Sequence, residues 1–198
     1  MEWVAALGRT LGFSLGAGIN LYATVAIVGL AARYQWVDLP AQFRIFDNDW
    51  VIGAALLLYA VEFVADKIPW VDTAWDAVHT FIRPLGGALI AVTTLGQASP
   101  PVQGLVAVLG GLVAAGSHAT KAGTRAVANA SPEPFSNWLL SLGEDVFVVG
   151  LTVLALMYPL AALVVTIVAI AVMAVFAATL IRAARRRFST LARAQPSV

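Results

Sequence analysis

Two stretches, Leu11 to Ala32 and Leu160 to Ile181, each run for 22 residues without a charge. As helices rising 1.5 Å per residue they reach about 33 Å, enough to cross a hydrocarbon core of about 30 Å. Four weaker apolar candidates lie between them: Trp50 to Ile68, Phe81 to Ala98, Pro101 to Thr120 and Trp138 to Met157. Pro100, Pro101 and Pro159 forbid continuous helix across the joins. The expected architecture is an all-α, polytopic membrane bundle of about six transmembrane helices.

The rest of the composition agrees. Hydrophobic residues make up 60% of the chain and charged ones 12%, against roughly 25% charged in soluble domains. The formal charge of +1 suggests no nucleic-acid partner. With no cysteine, disulfides, thiolate metal sites and cysteine nucleophiles are excluded. The N-terminus lacks a basic leader region and its apolar run is too long for a signal-peptide core, so it reads as a retained first helix.

Six spans would put both termini on one side. On that side ten basic residues accumulate, among them Arg9, Lys67, Arg83, Lys121, Arg125 and the arginines from 182 to 193, against Arg33 and Arg44 opposite. The positive-inside rule then makes both termini cytoplasmic. The division expected is one transmembrane domain over 1–182 and a basic tail over 183–198 that binds anionic lipid headgroups.

The second and third spans form one polar-tipped hairpin, and the fourth and fifth form another. Each descending helix ends on a lysine (Lys67, Lys121), and each ascending one carries Leu-Gly (Leu85-Gly86, Leu142-Gly143). Duplicated halves or shared membrane constraints both account for this. His118 and Lys121 are expected at the interface.

Charge inside an oily chain carries the functional argument. Glu62 and Asp66 are four apart and share a helix face. Glu62 lies a turn deeper, where a carboxylate needs a cavity, a partner such as Lys67 or Arg125, or a proton. From Trp70 to Ile82, Asp72, Asp76, His79 and Arg83 form one helical stripe beside an apolar one. This segment is expected as an amphipathic helix, either lying in the interface or re-entrant. Its stripe is either a solvated salt-bridging face or a cation site, with Asp72, Asp76 and His79 as oxygen and nitrogen ligands to a divalent metal. Glu144 and Asp145 point about 100° apart, so at least one faces the protein interior. Glu62 and Glu144 are expected to converge from corresponding depths of the two hairpins.

The first helix carries Gly8, Gly12, Gly16, Asn20 and Thr24 at steps of four, a small-residue seam suited to close helix approach. Asn20 at mid-membrane would serve an interhelical hydrogen bond, a ligand or an unwound backbone. The seam also allows a homodimer. "GFSLG" matches the nucleophile-elbow pattern but lies within one helix, away from the strand-turn-helix context that pattern needs. No other catalytic motif appears, and no enzyme is expected.

At "SLGAGINLY", "EFVADKIPWVDTAWD" and "PEPFSNWLLSLGED" the sequence resembles an uncharacterised bacterial integral-membrane family, domain of unknown function 4126. The resemblance runs from Gly12 to Pro159, with Ile68 to Asp72 its most specific piece. It implies a multi-span membrane protein and matches Glu62, Asp72, Asp76 and Glu144 to the family's acidic positions; the expected location is a bacterial inner membrane. Asn20 stands where the pattern would have an arginine. A fainter similarity, in Glu62 to Lys67, is to six-helix cation carriers.

The expected function is a small carrier moving a cation, or a solute coupled to protons, past Glu62 and Glu144, with Asp66, Asp72, Asp76, His79, Asp145 and Asn20 contributing. The alternative is a non-transporting membrane protein that binds lipid headgroups or a partner subunit, its acids merely pairing Lys67, Arg83, Lys121 and Arg125. Apart from a divalent cation, no cofactor is implied.

Overall fold

The computed structural model describes residues 2–129 and 135–193. All regular structure among them is helical: α1 (Glu2–Arg33), α2 (Asp49–Ala65), α3 (Pro69–Leu95), α4 (Pro100–Asn129), α5 (Phe135–Met157) and α6 (Pro159–Arg193). A short 3-10 turn at Ala41–Ile45 interrupts the loop after α1. Five helices, all but α2, are long and apolar enough to cross a membrane. The 17 residues of α2 rise about 26 Å, a little short of the core. This is a multi-pass membrane bundle.

The first helix departs from expectation. Asn20 adopts an extended conformation (φ −146°, ψ 96°) in the middle of α1, and the chain reverses there. A Cβ on Gly16 would lie 2.9 Å from Thr24 Oγ1, whereas residues eight apart on a straight helix are separated by about 12 Å. Contacts along both arms agree. On the entering arm Gly8 abuts Pro159 at the α5–α6 turn, and Phe13 packs edge-on against Phe43 with ring centroids 6.2 Å apart. On the returning arm Gly29 meets Phe46 and Ile52, and Arg33 binds Asp47 and Asp49 at 2.9 and 2.7 Å. Gln42, in the same loop, donates to the Thr94 carbonyl at the end of α3.

Both arms therefore open on one face of the bundle, the face that holds the 33–49 loop and the α3–α4 and α5–α6 turns. α1 is a helical hairpin dipping to mid-depth, and α2 to α6 run between the faces. This corrects the six-span count and its consequence: Glu2 and Arg193 lie on opposite faces. The re-entrant element is α1, not 70–82. Composition concealed this because both arms are apolar and remain enclosed by the other helices.

The segment from Trp70 to Ile82 and the span after it form one helix, α3, with Pro84 inside it. α3 packs along α4 where both carry small residues: a Cβ on Gly87 would strike Ala114 and approach the Gly110 carbonyl. Side by side, the two helices hold through the missing donor at Pro84. The polar stripe Asp72, Asp76, His79 and Arg83 is buried, while Trp70, Val78 and Phe81 are exposed. The interfacial and solvated readings of that stripe are thus both replaced by an inward one.

Outward surfaces are apolar, with Leu57, Leu85, Leu105, Leu112, Val146 and Val164 all exposed. Trp3, Trp36 and Trp50 ring the hairpin face and Trp70 and Trp138 the other, as interfacial belts do. α6 is the most peripheral helix, with 11% of its apolar window buried. Its helix continues to Arg193, so much of the 183–198 tail is an extension of α6, and 194–198 lie outside the described residues. The glycine seam is consumed internally: Gly8 and Gly12 face α5 and α6, and Gly16 faces Thr24. The seam itself is therefore occupied within the chain.

Two outcomes check this arrangement. Gly18, where a Cβ would collide with Ser117 and the Ala114 carbonyl, should not tolerate alanine. We expect Gly18→Ala to cost roughly 1–3 kcal/mol in thermal unfolding, and Gly150→Ala, which meets nothing within 4 Å, to cost nothing. Because the chain has no cysteine, Glu2→Cys and Arg182→Cys can be labelled singly with an impermeant maleimide in sealed vesicles. The two sites should react from opposite sides; reaction from the same side would refute the hairpin.

Candidate functional site

Reversing a helix at mid-membrane strands backbone carbonyls where no water can meet them, an arrangement tolerated only inside protein. Side chains from α3 and α4 meet them here. Arg83 Nη1 donates to the Gly18 carbonyl at 3.3 Å, Lys121 Nζ to Ile19 at 3.2 Å and Ser117 Oγ to Leu15 at 3.0 Å. Cations at the C-terminal end of the entering arm also complement its dipole. Asn20 starts the returning arm as its cap: its Oδ1 accepts from Ala23 N at 2.9 Å. The Asn20 amide donates to Asp145 Oδ1 at 3.3 Å, so it serves both an unwound backbone and an interhelical bond.

From this tip a buried ionic network runs toward the opposite face. Arg83 pairs with Glu62 at 2.8 Å, both side chains being fully buried, and reaches Asp76 at 3.4 Å. Lys121 lies 3.3 Å from Glu62, 2.9 Å from Asp66 and 3.6 Å from Glu144. Arg125 binds Glu144 through both carboxylate oxygens, the shortest contact being 2.6 Å, and also touches Asp66 and Asp72 at 3.3 and 3.9 Å. Asn137 ties Arg125 to the Asp66 carbonyl, and Asn129 holds Asp72 at 2.8 Å near the face. The eleven-residue separation of Asp72 and Arg83 along α3 gives the network a depth of about 16 Å.

The convergence of Glu62 and Glu144 is present, mediated by Lys121. Glu62, Asp66, Asp72, Asp76 and Glu144 are gathered around Arg83, Lys121 and Arg125, so carboxylates outnumber bases five to three. Glu62 Oε2, Asp66 Oδ1 and Asp145 Oδ2 have no hydrogen-bond partner among the described residues.

Other expectations are revised. Glu62 pairs with Arg83 and Lys121, not with Lys67 or Arg125; Lys67 instead lies over the Phe63 ring and donates to Ser141. His118 and Lys121 are buried members of the site, not interfacial residues. Asp72, Asp76 and His79 do not act together: their partners are Asn129, Arg83 and Tyr22 respectively. Among the described residues no group of three His, Asp or Glu is gathered closely enough to hold a metal ion.

Hydrogen bonding makes the His118 imidazole neutral. Arg83 can only donate, so His118 Nδ1 accepts at 2.7 Å and its Nε2–H points to Thr80 Oγ1 at 3.1 Å. His79 Nδ1–H donates to the Trp75 carbonyl at 2.7 Å, and its Nε2 shares a hydrogen bond of 2.9 Å with the Tyr22 hydroxyl. Trp75 stacks on the same ring at 4.5 Å.

Pairing of the acids with Arg83, Lys121 and Arg125 is what the alternative reading expects; what the sequence reading missed is that these bases lie inside the bundle. A signal was there: Ser117, Lys121 and Arg125 follow at steps of four, placing the bases on the face of α4 that Ala114 and Gly110 continue.

Helical spans enclosing a buried ion-pair network against a broken, re-entrant helix define a multi-pass integral membrane protein. A family model described as "Domain of unknown function (DUF4126)" matches residues 7–179, and the chain belongs to that family. No curated protein and no solved structure matches it.

Removing one member of a buried pair leaves the other uncompensated. Arg83→Met should therefore destabilise the protein by roughly 3–5 kcal/mol. Adding Glu62→Gln to it should recover part of that loss. Thermal unfolding of the single and double variants in detergent reads the coupling, and simple additivity would contradict the pairing.

Proposed function

We propose that this protein is a small carrier that moves a cation, or a solute coupled to protons, through the network between the α1 tip and the opposite face. The observation carrying this reading is the five-to-three excess of carboxylates over bases in a buried site. Fully ionised, the site would hold two uncompensated negative charges away from water, so protons or a cargo cation must balance them. The broken helix supports the same reading, since discontinuous helices at mid-depth supply carrier sites with backbone carbonyls and helix ends.

The face opposite the hairpin opening receives the α6 end with its arginines between 182 and 193, against Arg9, Arg33 and Arg44 at the hairpin face. By the positive-inside rule the network opens toward the cytoplasm of a plasma membrane, with Arg193 inside and Glu2 outside. A non-transporting protein that binds lipid or a partner is the second reading. It draws on the contact that Arg83, Lys121 and Arg125 each make with at least two carboxylates.

Proteoliposomes holding a pH-sensitive dye, with sodium, potassium or magnesium supplied outside, separate the two. The carrier reading expects a proton or cation flux that falls at least tenfold in Glu62→Gln and Glu144→Gln while both variants still elute as folded protein. No wild-type flux, or flux unchanged in both variants, would overturn it.

A further inference from the structure

Beside the α1 tip a cavity of about 560 Å³ opens between α1, α4, α5 and α6, a size typical of small-molecule sites. Leu15, Ile19, Leu140, Phe147, Val168 and Met173 give it apolar walls, and Lys121 and Glu144 lie at its foot. Its rim is open to hydrocarbon: Val164 is 62% exposed and Val168 57%. An occupant must therefore come from the bilayer with an apolar body and one polar end.

The foot selects the sign of that end. The three donors of Lys121 are engaged by Ile19 O, Glu62 and Asp66, which leaves its hydrocarbon stem toward the groove. Glu144 differs from the rest of the network. Its side chain is 16% exposed, against at most 7% for the other paired residues around it. Glu144 Oε1 accepts only from Arg125 Nε, at 3.2 Å, and so keeps acceptor capacity. With carboxylates already in excess, the complementary headgroup is a cation.

We propose that this groove binds a lipophilic amine from the bilayer, its chain along α6 and its ammonium against Glu144. This names a cargo class for the carrier and rests on that reading for the amine's onward movement, but binding is measured without flux.

The test is scintillation-proximity binding of radiolabelled decyltrimethylammonium to the full chain in nanodiscs, with empty nanodiscs as background. Saturable binding, competed by decylamine and not by decanoate, is expected. Glu144→Gln should weaken it at least tenfold, as should Val168→Trp, which fills the groove without touching the network. Leu105→Trp, outside the groove, should bind as wild type. Absence of a saturable component, equal competition by decanoate, or wild-type affinity in both Glu144→Gln and Val168→Trp would overturn the proposal. Amine binding without any flux would sink the carrier reading alone, and ion flux without amine binding would sink this proposal alone.

Discussion

Arg83 holds together three things that would otherwise be separately unstable. Its guanidinium caps a carbonyl at the reversal of α1, neutralises the fully buried Glu62, and donates to His118 on α4. Leaving one of these groups alone in a dry interior costs about 1–3 kcal/mol for the carbonyl or the imidazole and more for the carboxylate. Arginine suits the position because its planar fork offers five donors in fixed directions and does not give up its proton. The broken helix and the ionic network are thus one construction, and neither could be removed while the other stayed in place.

This construction puts far more charge inside, and more apolar surface outside, than a soluble domain does. Charged and hydroxyl side chains share the interior with apolar ones such as Phe13, Leu15 and Val148, while many leucines, valines and tryptophans face outward. Burial of apolar area cannot drive helices together in lipid, so close packing and polar contacts must do it. Small residues let α3 meet α4 and let the tip of α1 settle against Ser117. Close approach then brings side chains of ordinary reach, such as Lys121 and Arg125, into contact with carboxylates from α2, α3 and α5.

The class of fold and the acidic half of the site were legible in the residues. Uncharged 22-residue runs admit little but membrane helices, and Glu62 and Glu144 are conspicuous because ionised carboxylates are expensive at depth. The reversal at Asn20 was not legible, although Asn20 itself was singled out. Hydropathy measures only whether a segment tolerates an oily surrounding, and the two arms of α1 satisfy it as well as a straight span would. Within "GAGINLY" the Asn20 cap permits the reversal without forcing it; the stranded carbonyls are met by Arg83, Lys121 and Ser117, far away in sequence. The bases were misplaced for a related reason. Counting charges to sides assumes that basic residues lie at the ends of spans, whereas Arg83, Lys121 and Arg125 point inward.

Placement of the same cations on the tip and among the carboxylates has a consequence for the carrier reading. Lys121 binds Ile19 O with one proton and Glu62 and Asp66 with the others. A proton or cargo cation arriving at either carboxylate weakens its hold on Lys121, and the ammonium is then freer to shift toward or away from the tip. Coupling of this kind is reciprocal: if neutralising the network loosens the tip, displacing the tip must favour neutralisation. The hairpin closes one face and the network leads to the other. A change in charge would thus alter the element that separates the two sides, and in that geometry a single ligand could control access without any large domain motion.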